Sequence, residues 1–294
     1  IFDNITFENY KISVQNDPII YILNSVINGN KFSLQTMNSE NSTSTSGIKL
    51  VIVNTLVIES SFSIRCLHFS VSFHKVVFVN SAANTINSPD IKDFRKQTAV
   101  VARQVKFHII IVKNLNKLKA TKFLLVLSAT ITVHFFRCSF FDIGNSISIK
   151  ATKHPLLDLK IIINIGHFLQ SSVLSNHRAI EISLKKQKDL FIKADFVILR
   201  CIFVNHSANT GAAIFIQSDL FLNHHAKKSS LFIKNCSFIN NLANFEAGSL
   251  YLSKNIKIQI MNSEFFIDKD LPYKKELSRK HFFIVRSVKS WNSL

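Results

Sequence analysis

A small residue, any residue, Phe, any residue and then an amide or carboxylate recurs along this chain. Three copies agree closely: Cys138, Phe140 and Asp142; Cys201, Phe203 and Asn205; Cys236, Phe238 and Asn240. An internal repeat constrains a fold more than any local pattern, because each copy must take the same conformation and stack on its neighbours. The frame also fits Val76, Phe78 and Asn80, then Gly166, Phe168 and Gln170, then Ser263, Phe265 and Ile267, where the polar member is lost. Ser60 and Phe62 fit its first half. From Phe140 the Phe spacings are 28, 35, 35 and 27 residues, which reads as a unit of about 27 residues with an insertion in the longer copies. His224, His225, Lys227 and Lys228 have the composition of such an inserted loop.

The apolar period within each copy is two. Val197, Leu199, Cys201, Phe203 and Asn205 share one parity. Alternation over short runs rich in Ile, Val and Phe predicts β-strands. A second strand-like element follows each Phe, at Ile147 and Ile149, Ile180 and Ile182, Ile214 and Ile216, and Leu250 and Leu252. Gly47, Ile48 and Leu50 precede Phe62 much as Gly248, Leu250 and Leu252 precede Phe265. On this alignment the repeat spans 47–268: clear over 130–268, weak over 47–129, with a degenerate copy around Phe107 to Val112. It is not visible in 1–46. Short strands in a unit of this length predict an all-β parallel β-solenoid. Phe140, Phe168, Phe203, Phe238 and Phe265 are expected to stack in one row, with Cys138, Cys201 and Cys236 in a small slot beside the rings. Asn80, Asn205 and Asn240 are expected to form an amide ladder between successive turns.

The stretches from Arg200 to Ile216 and from Asn235 to Leu252 resemble the repeat of right-handed parallel β-helix proteins of the pectin-lyase-like superfamily. More narrowly, they resemble the polymorphic outer-membrane-protein type repeat of surface proteins. The chain departs from that pattern in glycine, with six in all and no double Gly. The resemblance implies a right-handed parallel β-helix. It leaves function open, since the superfamily covers polysaccharide lyases, hydrolases, adhesins and autotransported passengers.

A chain of 294 residues with 47% hydrophobic content is long enough to bury a large core. One elongated domain over 1–268 is expected, with 269–294 a charged tail or terminal turn. The start has no initiator Met and no signal-peptide pattern, which reads as a piece of something longer. Phe123 to Phe136 is the longest apolar stretch, at 14 residues. A spanning helix needs about 20, so buried strand is expected there and no transmembrane helix.

The formal charge is +18. Lys113, Lys117, Lys119 and Lys122, then Lys185, Lys186 and Lys188, then Lys274, Lys275, Arg279 and Lys280 cluster between expected strands. They read as solvated loop tips and edge protection, with an acidic glycan or a protein ligand as the partner if they bind one. No nucleic-acid module accompanies them, and no nucleic acid is expected. Cys66, Cys138, Cys201 and Cys236 make no Cys-x-x-Cys pair. Stacked on one face, the repeat thiols are expected to stay free, because parallel side-chain vectors strain a bridge. Of four Asn-x-Ser/Thr sequons, Asn205 has inward parity, and Asn4 begins another. Asn41, in a Ser- and Thr-rich loop, and Asn235, of outward parity, are the candidate glycosylation sites.

No constellation predicts catalysis. Asp189 and Asp195 form the nearest carboxylate pair within the clear repeat, without a counterpart on an adjacent copy. His167 lacks the glycine and paired Asp that would make it a hydrolase element, and reads as an ordinary outward residue. No metal or cofactor signature is present. The expectation is a non-enzymatic segment of a larger secreted or cell-surface protein, structural or adhesive. The alternatives are a carbohydrate-active β-helix enzyme acting on acidic polysaccharide and a degenerate fragment without selected activity.

Overall fold

A computed structural model of the chain describes residues 1–8, 11–14, 19–29, 31–35, 48–65, 69–79, 85–87, 104–113, 124–127, 131–143, 146–151, 156–171, 178–184, 191–218, 229–252, 256–267 and 282–284. The described residues are all-β, without helices. A long parallel sheet dominates. Its main path runs through Phe2–Asp3, Ile19–Leu23, Ile48–Val53, Phe69–Val79, Gln104–Lys113, Ile131–Phe141, Leu156–Leu169, Phe191–Leu199, Ser229–Lys234 and Ile256–Met261. Each strand pairs in parallel with the strand one repeat before it and one repeat after it, an arrangement compatible with a solenoid.

Alternation sorts these strands into inward and outward rows. Leu50, Val71, Val133, Ile161, Phe196, Leu231 and Ile258 are register partners on one inward row, and Ile52, Phe73, Phe107, Phe135, Ile163, Ile198, Ile233 and Ile260 on the next. Most of these side chains are buried, and together they form one continuous apolar core. Phe73, Phe107 and Phe135 stack face to face at 5.1 and 4.7 Å. Smaller sheets continue the repeats. One pairs Lys11–Val14, Lys31–Gln35, Ser61–Arg65 and Thr85–Asn87, and another pairs Leu124–Leu127, Ile147–Ala151, Ile180–Leu184, Ile214–Ser218, Leu250–Leu252 and Phe282–Ile284.

The structure extends one sequence alignment and corrects two. The repeat is not visible in the sequence of 1–46, yet Phe2–Asp3, Thr6–Glu8, Ile19–Leu23 and Val26–Asn28 join the long sheet in register with its later strands. Phe62 is not in the Phe140 row. It pairs with Phe32 in a different sheet, while Val57 is the partner of Phe78. Leu50 belongs to the long sheet and Leu250 to the sheet with Ile214, so the glycine-led segments at 47 and 248 are not equivalent. The degenerate copy is real in register, with Val112 between Phe78 and Phe140. Strand Phe282–Ile284 pairs with Leu250–Leu252, which carries the sheet into the charged C-terminal stretch.

Candidate functional site

The backbone of each repeat turns a corner through one left-handed residue. Asn4, Asn24, Asn54, Lys75, Ile109, Arg137, Ile165, Arg200, Asn235 and Asn262 all have φ between 46° and 59°. Parallel pairing runs through this corner: the N–H groups of Asn24, Asn54, Arg200 and Asn235 donate to carbonyls of the next repeat at 2.9–3.0 Å. The small slot lies one residue on, and on several strands its side chain also hydrogen-bonds. Ser25 Oγ, Thr55 Oγ1, Cys236 Sγ and Ser263 Oγ each donate to the carbonyl two residues back, at 2.6, 2.8, 3.3 and 3.0 Å. Slot atoms also accept N–H groups of the preceding repeat, with Cys236 N donating to Ser263 Oγ at 3.1 Å and Cys201 N to Cys236 Sγ at 3.4 Å. The slot thus takes a hydroxyl or thiol on these strands, and Val76, Ile110 and Gly166 on others. Cys138, Cys201 and Cys236 are buried free thiols. Burial pushes Cys138 up to about 12 and raises Cys201 well above the ordinary thiol value, which leaves little thiolate for chemistry.

Two residues further on lie the rings. Phe140, Phe168, Phe203, Phe238 and Phe265 stack at 5.0, 4.8, 4.8 and 4.6 Å with planes within 8° of parallel. Asp142, Asn205 and Asn240 then make a second left-handed corner at φ 52–59°. At the position expected to carry an amide ladder, Asn205 Nδ2 donates to the backbone carbonyl of Gln170, its counterpart one repeat earlier, and Asn205 and Asn240 both hold positive φ, which Asn tolerates. Asn80 lies outside the described residues. Amide-to-amide rungs occur elsewhere, from Asn54 Nδ2 to Asn24 Oδ1 at 3.1 Å and from Asn244 Nδ2 to Asn209 Oδ1 at 3.0 Å. Beyond the second corner, buried His206 and Asn241 meet the backbone of the preceding repeat, with Asn241 Nδ2 donating to the Phe203 carbonyl at 3.0 Å and His206 Nε2 lying 3.1 Å from the Phe168 carbonyl. Gly248 sits against this turn, where a Cβ would lie 2.3 Å from the Asn241 carbonyl oxygen.

The outer face of the long sheet carries the polar chemistry. Ser72, Lys106 and His134 are register partners on one outward row, and His74, His108 and Phe136 on the next. These side chains and Phe107 line an open depression of about 450 Å³. His74 and His108 stack at 4.6 Å, and His108 and Phe136 at 4.9 Å. The two Nδ1 atoms of His74 and His108 are 2.6 Å apart, close enough to share one proton. Burial, then His74, Arg137 and His134, hold His108 below the ordinary imidazole value. His134 is lowered by burial and by Lys106. Along the adjacent corner, Lys75, Arg137 and Arg200 are exposed and occupy every second strand, with Ile109 and Ile165 between them. The Arg137 guanidinium lies 5.3 Å from the Phe136 ring centre.

Several carboxylates are engaged with neighbours. Asp195 meets Lys193 at 2.6 Å and Ser230 at 2.7 Å. Partial burial opposes its charge, but those hydrogen bonds outweigh it and hold its pKa below the usual range. Glu181 pairs with Arg178 at 3.1 Å, Glu264 accepts from Ser237 at 2.6 Å, and Asp142 accepts from the Ser171 N–H at 2.6 Å. Asp189, Asn41, Cys66, His224 and His225 lie outside the described residues, as do the lysine clusters after Lys113. His167 is half-buried, with Nδ1 3.4 Å from Ser139 Oγ. Asn235 and Asn4 are exposed at the first corner, while Asn205 is half-buried. Sequence reading missed the corner cations and the histidine basin. The signal was available: Lys75, Arg137 and Arg200 each stand immediately before the small slot.

No protein-family model, curated protein or solved structure matches this chain. Among the described residues no helix is long and apolar enough to cross a membrane, and no group of three or more His, Cys, Asp or Glu side chains could hold a metal ion.

Proposed function

We propose that the chain is a right-handed parallel β-helix of the pectin-lyase-like type, with repeats of the polymorphic outer-membrane-protein kind. It serves as a structural or adhesive segment of a larger secreted or cell-surface protein. Residues 1–268 act as one β-helix domain, and the pairing of Phe282–Ile284 with Leu250–Leu252 favours a terminal coil within 269–294. Successive parallel pairings at one repeat's offset, with the same two corners recurring, support the coil reading.

One observation carries the adhesive role. Lys75, Arg137 and Arg200 form an exposed corner ridge on alternate strands, a spacing of about 9.6 Å at the usual strand separation. The second corner carries no such cations at its described positions Gly29, Glu59, Asp142, Asn205 and Asn240. A repeating line of positive charge suits an extended acidic polysaccharide, whose charges recur along its length. Duplex nucleic acid suits it less, since each strand places a phosphate every 3.4 Å or so.

The test is retention of the protein on immobilised polygalacturonate or heparin against neutral dextran across a salt gradient. Salt-sensitive retention, weakened severalfold when Lys75, Arg137 and Arg200 are all changed to Ser, is the expected result. Equal elution of the folded triple variant would sink the adhesive reading, and release of unsaturated or reducing sugar ends would replace it with the enzymatic one. Expression through a secretory pathway adds a second check. A glycosidase-sensitive mass at Asn235, and none at Asn205, is the expected outcome for a surface glycoprotein.

A further inference from the structure

The depression on the outer face of the long sheet has a chemistry that a general adhesive role does not explain. Three neighbouring strands bring Ser72, His74, Lys106, His108 and His134 into one open basin of about 450 Å³. Its polar lining consists of one hydroxyl, one ammonium and three imidazoles, with no carboxylate among them. The surroundings do not neutralise it. Lys75 and Arg137 flank it at the corner. The strand before it presents Lys49, Val51 and Val53, and the strand after it presents Lys160, Ile162 and Asn164. Among the described side chains facing the basin from these strands, the charged and titratable ones are basic.

We propose that this basin binds a tetrahedral oxyanion, a sulfate or phosphate group carried on a larger ligand, and binds it more tightly as its histidines protonate. The proposal takes from the adhesive reading only the choice of face. A metal ion fits poorly, because Lys106 and Arg137 would repel it and the described residues hold no three-donor group. A flat aromatic or nucleobase ring also fits poorly. Both faces of the His108 ring are already covered, by His74 and Phe136. What remains available is the polar edge of the stack, a set of N–H donors beside an ammonium and a hydroxyl. That set matches an anion with several acceptor oxygens.

The histidine pair gives the site its pH response. With Nδ1 atoms 2.6 Å apart, His74 and His108 are within hydrogen-bond distance of each other. Positive charge on the His108 ring is opposed by His74, Arg137 and His134 around it. A bound dianion reverses that field. By linkage, anion binding raises the affinity of the imidazoles for protons, and protonation raises the affinity for the anion by the same factor.

The experiment is an NMR titration of the histidine ring resonances with inorganic sulfate and with inorganic phosphate, against chloride at equal ionic strength. It is run near pH 5.5 and near pH 7.5, either side of the ordinary imidazole value. Saturable shifts at His74, His108 and His134 are expected with both anions, and with sulfate, a dianion at both pH values, an affinity about tenfold greater at the lower pH is expected from linkage. Lys106→Gln should weaken binding severalfold while Lys257→Gln, on the same sheet but far along it, leaves it unchanged. Displacement by dextran sulfate or by polyphosphate then assigns the source as sulfate or phosphate. Shifts no larger than those with chloride, or an unchanged affinity in a folded Lys106→Gln protein, would overturn the proposal. Because the probe is inorganic, loss of polysaccharide retention with oxyanion binding intact would count against the ridge and not the basin.

Discussion

The first corner shows how one residue's backbone preference shapes a whole column. Left-handed φ costs an ordinary residue about 1–2 kcal/mol, and Asn tolerates it best after Gly. Five of the corner positions are Asn, but Ile109 and Ile165 are β-branched. Ile165 is half-exposed, so little burial is lost by replacing it. Ile165→Asn should therefore stabilise the fold by about 1 kcal/mol, read as a higher urea midpoint with unchanged slope. The second corner offers the opposite case. Asn241 is buried and donates to the Phe203 carbonyl while its Oδ1 accepts the His206 N–H. Asn241→Ala would leave both backbone groups without these bonds and should destabilise by about 1–3 kcal/mol. Asn241→His, which imports the side chain that His206 uses at the equivalent position, should cost less in the same denaturation assay.

At the scale of the strand, the parallel register converts a single ring into a stack. Phe203 is fully buried between the rings of Phe168 and Phe238, while Phe265, which stacks on Phe238, is half-exposed. Phe203→Ala should cost about 3–5 kcal/mol, and Phe265→Ala less than half of that, both from denaturant unfolding. Equal losses would mean that the ring row does not act as a cooperative column. The two small-slot columns also explain why Ser60 and Phe62 imitate the motif. Ser60 follows the left-handed Glu59 and donates to the Ile58 carbonyl at 2.7 Å, just as the first-corner slot residues do at theirs. Ser60 thus shares the first-corner hydrogen bond, whereas the other described residues after the second corner are Ile143, His206 and Asn241.

For the whole molecule, burial of imidazoles on one face, with like charges beside them, ties stability to pH. His108 and His134 are held below their ordinary value in the folded chain. The unfolded chain then binds protons more readily near pH 6.5 or so, and stability falls as pH drops through that value. It levels off once pH is below the folded-state values as well. His108→Phe continues the stack from Phe136 and should flatten the decline, measured as the difference in urea midpoint between about pH 8 and about pH 5. A variant with the same pH dependence as the parent would place the titration elsewhere. By itself the sequence determined the strand period, the parallel repeat and the ring row, because alternation and recurrence depend only on which residues are apolar and how far apart they stand. It also carried the roles of Cys138, Cys201 and Cys236 as compact fillers. The tertiary structure alone decided what lies beside what across repeats. Variable insertions separate His74 from His108 by 34 residues and His108 from Phe136 by 28, so no local window joins them. Only hydrogen-bonded register places them on neighbouring strands, and only the corner's left-handed backbone turns Lys75, Arg137 and Arg200 into one exposed line.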